Sequence, residues 1–319
     1  MIVTLTANPS LDRTVTLPAA LERGRVQRAL DVRDEPGGKG VNVARVVHAA
    51  GQVAVAVLPG SHDDPLVLAL REAGVIHRPV PVLGRVRVNL TLAEPDGTTT
   101  KVNEAGLRLD AHVLASLGEA LVREAAGARW AVLSGSLPPG VPAGWYAELV
   151  ARLRGTGASV AVDTSGAALL AAVGPDAAAL PQLVKPNGEE LAELVGAPGD
   201  LEHDRDGAAR AAAELVHRGV AAVLVTLGAE GALLATAEGI WTAQPPAIRA
   251  RSTVGAGDSA LAGYVLAEMA GADPADRLRT AVAYGSAAAA LPGSTLPGPG
   301  DAHPELVTCT RLPGLPLLR

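Results

Sequence analysis

Short runs rich in valine and leucine alternate along the chain with longer alanine-rich stretches. Short apolar runs bounded by turn residues are typical of buried strands, and the stretches between them are long enough for crossover helices. This alternation predicts a layered α/β fold around a largely parallel sheet. The expected central strands are residues 2–6, 53–58, 130–133, 159–162, 183–185 and 222–226. The expected helices are residues 41–50, 65–73, 111–125, 143–154, 189–195 and 207–217.

Four other segments have a different pattern. Residues 85–94 alternate between polar and apolar positions, and a Pro-Asp-Gly turn separates them from a second strand-like run at 98–103, which predicts a hairpin. Residues 11–17 and 25–33 are also short, polar and strand-like. Together the four segments predict a small accessory sheet, inserted at about 11–33 and 85–103, which we interpret as a lid.

The chain contains no internal repeat and no long flexible linker, so we expect residues 1–319 to form a single domain. The segment 291–300 is rich in proline and glycine. We expect the ordered core to end there.

Composition narrows the classes of function. The net charge of -6 and a pI near 5.7 argue against a nucleic-acid surface and favour a small-molecule partner. A single cysteine, Cys309, excludes an internal disulfide and a cysteine-based zinc site. Charged residues or prolines interrupt every long apolar stretch, and the first residues lack the pattern of a signal peptide. We therefore expect a cytoplasmic protein that does not enter the membrane.

The sequence Gly255-Ala-Gly-Asp258 places three small residues and a carboxylate at an expected helix start. Unpaired amides in a first helical turn bind anions, and the helix dipole favours negative charge there. A carboxylate beside such an anion site can act as a general base for a hydroxyl that attacks a phosphate. A purely stabilising helix cap explains the same residues, and short motifs alone do not distinguish the two interpretations.

The same run also fits the loose dinucleotide fingerprint G-x-G-x-x-A, which would indicate a dehydrogenase. That fingerprint requires a following strand that ends in an acidic residue about 20 residues later. Residues 277–290 are instead alanine-rich and helical, so no βαβ unit is completed. The dinucleotide interpretation therefore fails.

A second glycine turn, Gly37-Gly-Lys-Gly-Val-Asn42, leads into an amphipathic helix. It is not a Walker A loop, because a glycine five residues before the Gly-Lys pair and a Ser or Thr after it are both absent. Lys39 and Asn42 could bind the hydroxyls and phosphate of a sugar. A turn with a solvated lysine remains the alternative.

A third motif, Lys185-Pro-Asn-Gly-Glu-Glu190, follows a short apolar strand. Asn187 and Glu190 are three residues apart, share one face of the next helix, and could order the water shell of magnesium. On spacing alone a helix cap is the favoured interpretation. Basic residues for a phosphate are Arg87 and Lys101 on the predicted hairpin, and Asp12 and Ser136 follow expected strand ends.

In this order, Asn8-Pro-Ser-Leu-Asp12, Gly37-Gly-Lys-Gly-Val-Asn42, Ser134-Gly-Ser-Leu-Pro-Pro-Gly140, Lys185-Pro-Asn187 and Val254-Gly-Ala-Gly-Asp-Ser259 resemble the motifs of the phosphofructokinase B, or ribokinase-like, sugar kinases. The resemblance extends from residue 2 to about residue 293. It implies a three-layer α/β/α Rossmann-like core with a small β-sheet lid, and it implies ATP and Mg²⁺ as cofactors.

The resemblance also implies roles for individual residues. Asp258 corresponds to the catalytic base, and the amides of Gly255, Ala256 and Gly257 correspond to an anion hole. Residues implied to contact the sugar phosphate are Asp12, Gly38, Lys39, Asn42, Arg87, Lys101 and Ser136. Those implied to contact ATP are Lys185, Asn187, Thr226, Gly228 and Gly231, with Asn187 and Glu190 linked to magnesium through water.

Within the family, the lysine of Gly-Gly-Lys-Gly is similar to the residue found in members that phosphorylate fructose 1-phosphate or tagatose 6-phosphate. Members that phosphorylate fructose 6-phosphate resemble Gly-Gly-Gly-Gly at this motif. The resemblance therefore implies a kinase of fructose 1-phosphate, with kinases of the other two sugar phosphates as alternatives. A non-catalytic regulator that binds a phosphosugar is the alternative from another class. A homodimer formed through the lid sheet is a further expectation.

Overall fold

The computed structural model describes residues 1–313, which form two β-sheets and a set of surrounding helices. The strands, in chain order, are β1 (Ile2–Leu5), β2 (Ser10–Thr16), β3 (Asp31–Gly37), β4 (Ala54–Pro59), β5 (Ile76–Val80), β6 (Arg87–Ala93), β7 (Thr99–Asn103), β8 (Trp130–Ser134), β9 (Ser159–Asp163), β10 (Leu183–Val184), β11 (Ala222–Thr226), β12 (Ala232–Thr236), β13 (Gly239–Gln244) and β14 (Thr308–Arg311). The α-helices are α1 (Lys39–Ala49), α2 (Pro65–Glu72), α3 (Ala111–Ala125), α4 (Trp145–Leu153), α5 (Gly166–Val173), α6 (Gly188–Val195), α7 (Arg205–His217), α8 (Ala256–Met269) and α9 (Pro274–Ala290).

The larger sheet has the strand order β14-β13-β12-β11-β10-β9-β8-β1-β4-β5. The seven neighbouring strands from β11 through β10, β9, β8, β1 and β4 to β5 pair in parallel. Strands β12, β13 and β14 extend the sheet by antiparallel pairing. The predicted parallel core is therefore present. The antiparallel end, and strand β5 at the opposite end, were not predicted from the sequence.

Alternate residues along the central strands enter two separate apolar cores. Val55 and Val57 of β4 pack on the side covered by α3 to α7, whereas Ala56 and Leu58 pack on the side of α1, α2, α8 and α9. Because strands covered on both faces are apolar at every position, they appear in the sequence as continuous apolar runs. This arrangement is the predicted three-layer α/β/α core.

The second sheet contains four strands in the order β3-β2-β6-β7. Its position in the chain corresponds to the predicted accessory sheet, but the expected strand at 25–33 is wrong in its bounds. Antiparallel pairing runs from Ser10 opposite Gly37 to Thr16 opposite Asp31, so the strand covers residues 31–37 instead. Residues 17–30 connect the two strands, and Gln27 and Glu94 accept hydrogen bonds from backbone amides of this connection.

The expectation that the ordered core ends at 291–300 is also wrong. After this segment, β14 pairs with β13 and adds an edge strand to the larger sheet. A proline- and glycine-rich segment can cross the surface between two ordered elements as well as terminate them. Within residues 1–313, none of the helices is both long enough and apolar enough to cross a membrane.

Candidate active site

One edge of the larger sheet collects most of the residues singled out from the sequence. The carboxyl ends of β1, β8, β9, β10 and β11 lie at this edge because these strands run in the same direction. Asp163 is the last residue of β9, and Lys185 follows β10 directly. Open α/β sheets bind ligands outside the carboxyl ends of their strands, so this edge is the candidate active site.

Helix α8 begins at this edge with the predicted glycine turn. Gly255 precedes the helix with φ = 75°, a conformation that favours glycine, and no side chain among residues 1–313 caps this end of the helix. The amides of Gly257 and Asp258 have no acceptor within the helix, whereas the Ala256 amide donates a long bond of 3.4 Å to the Thr253 carbonyl. The first turn of α8 therefore presents unpaired amides beside Asp258.

The Asp258 carboxylate is buried, with 6% of the residue exposed. Its Oδ2 atom accepts a hydrogen bond of 2.8 Å from Asn42 Nδ2, which lies in the first turns of α1. Burial, assisted by the negative charge of Asp163, raises the pKa of Asp258 to about 6, although Lys39, Asn42 and Lys185 act in the opposite direction. A carboxylate with a pKa just below neutrality is ionised at neutral pH and readily accepts a proton.

Asp163 joins two lysines that the sequence assigned to different ligands. Lys39 Nζ lies 2.8 Å and Lys185 Nζ 3.3 Å from the same oxygen, Asp163 Oδ1, and Asp163 is fully buried. Burial opposes ionisation of Asp163, but the two adjacent amines outweigh it and lower its pKa. Burial likewise disfavours the charged Lys39 amine, yet Asp163 and Asp258 raise its pKa above the usual value.

Sequence reasoning missed Asp163. A usable signal was present, since a carboxylate directly follows the apolar run Val160-Ala-Val162 at an expected strand end. The same signal identified Asp12 and Ser136 as residues beyond strand ends.

The smaller sheet contributes Asp12 to the site. Asp12 Oδ1 accepts hydrogen bonds from Ser10 Oγ at 2.7 Å and from Asn89 Nδ2 at 3.0 Å, and burial raises the pKa of this carboxyl group. A Cβ atom at Gly37 would lie only 2.2 Å from Asp12 Oδ2. The Asp12 side chain thus lies directly over the backbone of Gly37, the last residue of β3, where any side chain would displace it. Asn89 was not identified from the sequence.

Arg87 lies on the same face of the lid sheet as Asp12, because Ser10 and Arg87 are paired in register. Its guanidinium group donates to the carbonyl oxygens of Asn8 at 3.1 Å and Glu104 at 3.0 Å. Burial lowers the pKa of Arg87, against the charges of Asp12 and Glu104. Arg87 therefore holds the backbone around Asn8 as well as facing the site.

Two other predicted sugar-phosphate residues border this region. Ser136 is exposed, and its Oγ accepts a 3.4 Å bond from Asn8 Nδ2. Gly38, at φ = 105°, precedes α1. Lys101 is more distant: it is exposed on the edge strand β7, opposite Thr91, and none of the ion pairs within residues 1–313 includes it.

The predicted nucleotide residues meet beside β11. Asn187 and Thr226 form an isolated bridge, and the Thr226 amide donates to the Pro186 carbonyl at 3.0 Å. Gly228 and Gly231 flank the short turn that follows β11, both at positive φ. Lys185, the remaining member, extends toward Asp163 as described above.

Asn187 and Glu190 form a capping box at the start of α6. Asn187 Oδ1 accepts from the Glu190 amide at 2.7 Å, and Glu190 Oε2 accepts from the Asn187 amide at 2.9 Å. The cap favoured by spacing is thus present. It occupies one carboxylate oxygen of Glu190, and the negative charge of this residue contributes to the raised pKa of Lys39, so Glu190 lies near the site.

Comparisons with known proteins show the family and the fold. The model of the pfkB family of carbohydrate kinases matches residues 5–299. A 1-phosphofructokinase of Rhodobacter capsulatus is 39% identical over 307 residues, which cover 93% of each chain. Phosphofructokinase-2 of Escherichia coli in complex with fructose-6-phosphate superposes with a TM-score of 0.83 at 33% identity, covering 94% of this chain and 96% of that one.

A ribokinase of Thermotoga maritima shares the fold, with a TM-score of 0.71 at 18% identity over 94% of this chain and 97% of that chain. The ribokinase-like fold predicted from the motifs is therefore confirmed. The ordered motifs, the fold and the high coverage of the relatives lead to one conclusion: the chain belongs to the pfkB family of carbohydrate kinases and is a sugar-phosphate kinase, a phosphotransferase.

Proposed function

We propose that this kinase transfers the γ-phosphate of ATP to fructose 1-phosphate and produces fructose 1,6-bisphosphate. The observation that carries the proposal is the buried Asp258 carboxylate, placed in the first turn of α8 beside unpaired amides and bonded to Asn42 of the Gly-Gly-Lys-Gly helix. A base and an anion site at one helix start are the two requirements for attack of a hydroxyl on a phosphate.

In the proposed reaction, Asp258 accepts the proton of the free primary hydroxyl as the oxygen attacks the γ-phosphorus. The bond from phosphorus to the bridging oxygen of ADP breaks at the same time. The amides of Gly255, Ala256 and Gly257 would stabilise the negative charge of the transferring group. Of these, we expect Ala256 to contribute least, because its amide already has a partner in Thr253.

The sugar phosphate would lie between the sheet edge and the lid. We propose that Asp12, Asn42, Ser136 and the backbone at Gly38 bind its hydroxyl groups. We propose that the cations Lys39, Arg87 and Lys101 bind the phosphate that the substrate already has. Since Lys101 is exposed on the edge strand of the lid, its role requires the substrate or the lid to extend toward it.

For the nucleotide, we propose contacts from Lys185, Asn187, Thr226, Gly228 and Gly231. Within residues 1–313 no cluster of three or more His, Cys, Asp or Glu side chains forms a complete metal site. Glu190 fits a role with magnesium, because one of its carboxylate oxygens is left over from the capping box and magnesium is commonly held by few carboxylates, its own waters and phosphate oxygens. A bound Mg²⁺ supplies neutralisation of phosphate charge.

The outer face of the lid sheet supports a homodimer. In-register pairing places Val15, Val32 and Leu92 in one row and Leu90 and Val102 in the next, beside the Arg13–Asp34 ion pair, on the face opposite Asp12. Val32 and Val102 are 53% and 56% exposed. Apolar side chains exposed beside charged ones on a sheet face commonly form protein-protein contacts, and we propose that two lids pack here. We also propose the cytoplasm, where ATP is supplied, as the place of action.

A coupled ADP-release assay tests the proposed substrate. We expect the highest kcat/KM with fructose 1-phosphate, lower values with tagatose 6-phosphate and fructose 6-phosphate, and least activity with unphosphorylated sugars. A higher kcat/KM with either of the other two phosphates would contradict the assignment and select that alternative. Absence of ADP release with every sugar phosphate, together with retained sugar-phosphate binding, would instead support a non-catalytic regulator.

A further inference from the structure

Asp163 has a part in the site that the motifs did not assign to it. It is fully buried at the end of β9, and its two oxygens face three donors: Lys39 and Lys185 on Oδ1, and Ser134 Oγ at 3.5 Å on Oδ2. A buried carboxylate is costly unless its charge is paired and bonded. Here one carboxylate is shared by two ammonium groups from different parts of the chain.

The two amines are placed around the catalytic carboxylate. Lys39 and Asn42 are three residues apart on α1, so they share one helix face, and they bind Asp163 and Asp258 respectively. On the other side, Lys185 Nζ lies 3.2 Å from the position that a Cβ of Gly257 would occupy. One lysine therefore lies beside Asp258 and the other directly against the first turn of α8.

We propose that Asp163 is a positioning residue for phosphoryl transfer, which holds the Lys39 and Lys185 amines beside Asp258 and the first turn of α8. This proposal rests on the proposed function and adds a role for Lys39 on the base side of the site. The carboxylate charge between the two amines offsets their mutual repulsion, and an amide oxygen at the same position would still accept a hydrogen bond from Lys39.

The charges of this group match the reaction. Two lysines and two aspartates balance when all four are ionised. Once Asp258 has accepted the substrate proton, the group carries one net positive charge, at the moment when the transferring phosphoryl group most needs it. Preorganised charge in a buried site stabilises such a transition state at little reorganisation cost.

Two variants of the same ion pair should have opposite effects. The charged groups facing Asp258 are Lys39 from α1, Asp163 from β9 and Lys185 after β10, with Glu190 beyond Lys39. Asp163→Asn removes a negative charge that raises the pKa of Asp258, and Lys39→Met removes a positive charge that lowers it. The acidic limb of kcat/KM should therefore move to lower pH in Asp163→Asn and to higher pH in Lys39→Met, by about 1 unit each.

The experiment measures kcat/KM from pH 5 to 9 for the wild type and both variants with one sugar phosphate. Because titration of the substrate phosphate affects all three enzymes equally, the comparison uses only the differences between their acidic limbs in the pH profile of kcat/KM. Glu119→Gln and Arg123→Met, exposed residues of α3, are matched charge controls and should leave the limb in place. Circular dichroism establishes that each variant is folded.

Shifts in the same direction, or no shift in a folded Lys39→Met, would overturn the proposal. So would an unmoved limb in Lys39→Met accompanied only by a rise in the KM for sugar phosphate, because Lys39 would then act on the substrate alone and not on Asp258. NMR of ¹³C-aspartate-labelled protein follows the carboxyl carbon of Asp258, whose signal is identified by its loss in Asp258→Asn. The pKa of Asp258 measured in this way should shift in the same opposite directions in the two variants, without turnover. This measurement tests the charge arrangement even if the proposed phosphoryl transfer is not found.

Discussion

At the scale of single residues, Asp258 combines a chemical role with a cost in stability. Its pKa is about 6 in the folded protein against an ordinary value of 3.8. The cost is absent below the ordinary pKa, where both states are protonated. It grows as the pH rises between these two values and is complete above the folded-state pKa.

Asp258→Asn should therefore stabilise the protein at alkaline pH. We expect the free energy of unfolding to increase by about 1 to 3 kcal/mol at pH 8, with little increase near pH 4, and urea titrations at the two pH values measure it. Glu119→Gln is the control for loss of an exposed carboxylate. A decrease in stability at pH 8, or an equal gain at both pH values, would show that ionisation of Asp258 costs the fold nothing.

Individual residues were predictable where a motif fixed their chemistry. The Gly255-Ala-Gly-Asp258 run placed Asp258 at a helix start, and the structure adds the bond to Asn42, 216 positions earlier in the chain. That bond could not be predicted from local sequence, because it depends on how α1 and α8 pack. Asp163 was not predicted for the same reason, because its partners come from two distant segments of the chain.

At the scale of elements, the apolar runs predicted the parallel strands because those strands are buried on both faces. Strand β3 was misplaced because residues 25–33 and 31–37 are similarly polar, and only pairing with β2 selects the second range. Likewise β14 follows a segment typical of a chain end, yet its backbone pairs with β13. Pairing between segments far apart in sequence decided both cases.

The capping box of α6 shows how one local pattern serves two purposes. Its spacing predicted a cap, and the structure contains the cap. The same bonds fix Glu190 with one oxygen left over, which the proposed magnesium role requires. Local sequence cannot separate these interpretations, since both need the same two residues.

At the scale of the whole molecule, the two sheets have different surroundings. The larger sheet is covered by helices on both faces, whereas the lid sheet turns Asp12 toward the site and exposes Val32 and Val102 on its opposite face. That exposed face is the physical basis of the proposed dimer.

Sedimentation should give the mass of a dimer for the wild type, about twice the 32.1 kDa of one chain. The double substitution of Val32 and Val102 by glutamate should shift the protein to monomer, because it would bury four carboxylates in the contact. Leu83→Glu, at a 98% exposed position outside the strands, is the matched control and should remain dimeric. A monomeric wild type at micromolar concentration would contradict the proposal.

Whether Asp258 is the base of this sugar-phosphate kinase is measured by the turnover number of Asp258→Asn with fructose 1-phosphate and ATP. We expect a kcat lower by about 10²- to 10⁴-fold, with ATP affinity nearly unchanged and a folded, stabilised protein. A folded Asp258→Asn enzyme that turns over at close to the wild-type rate would contradict it.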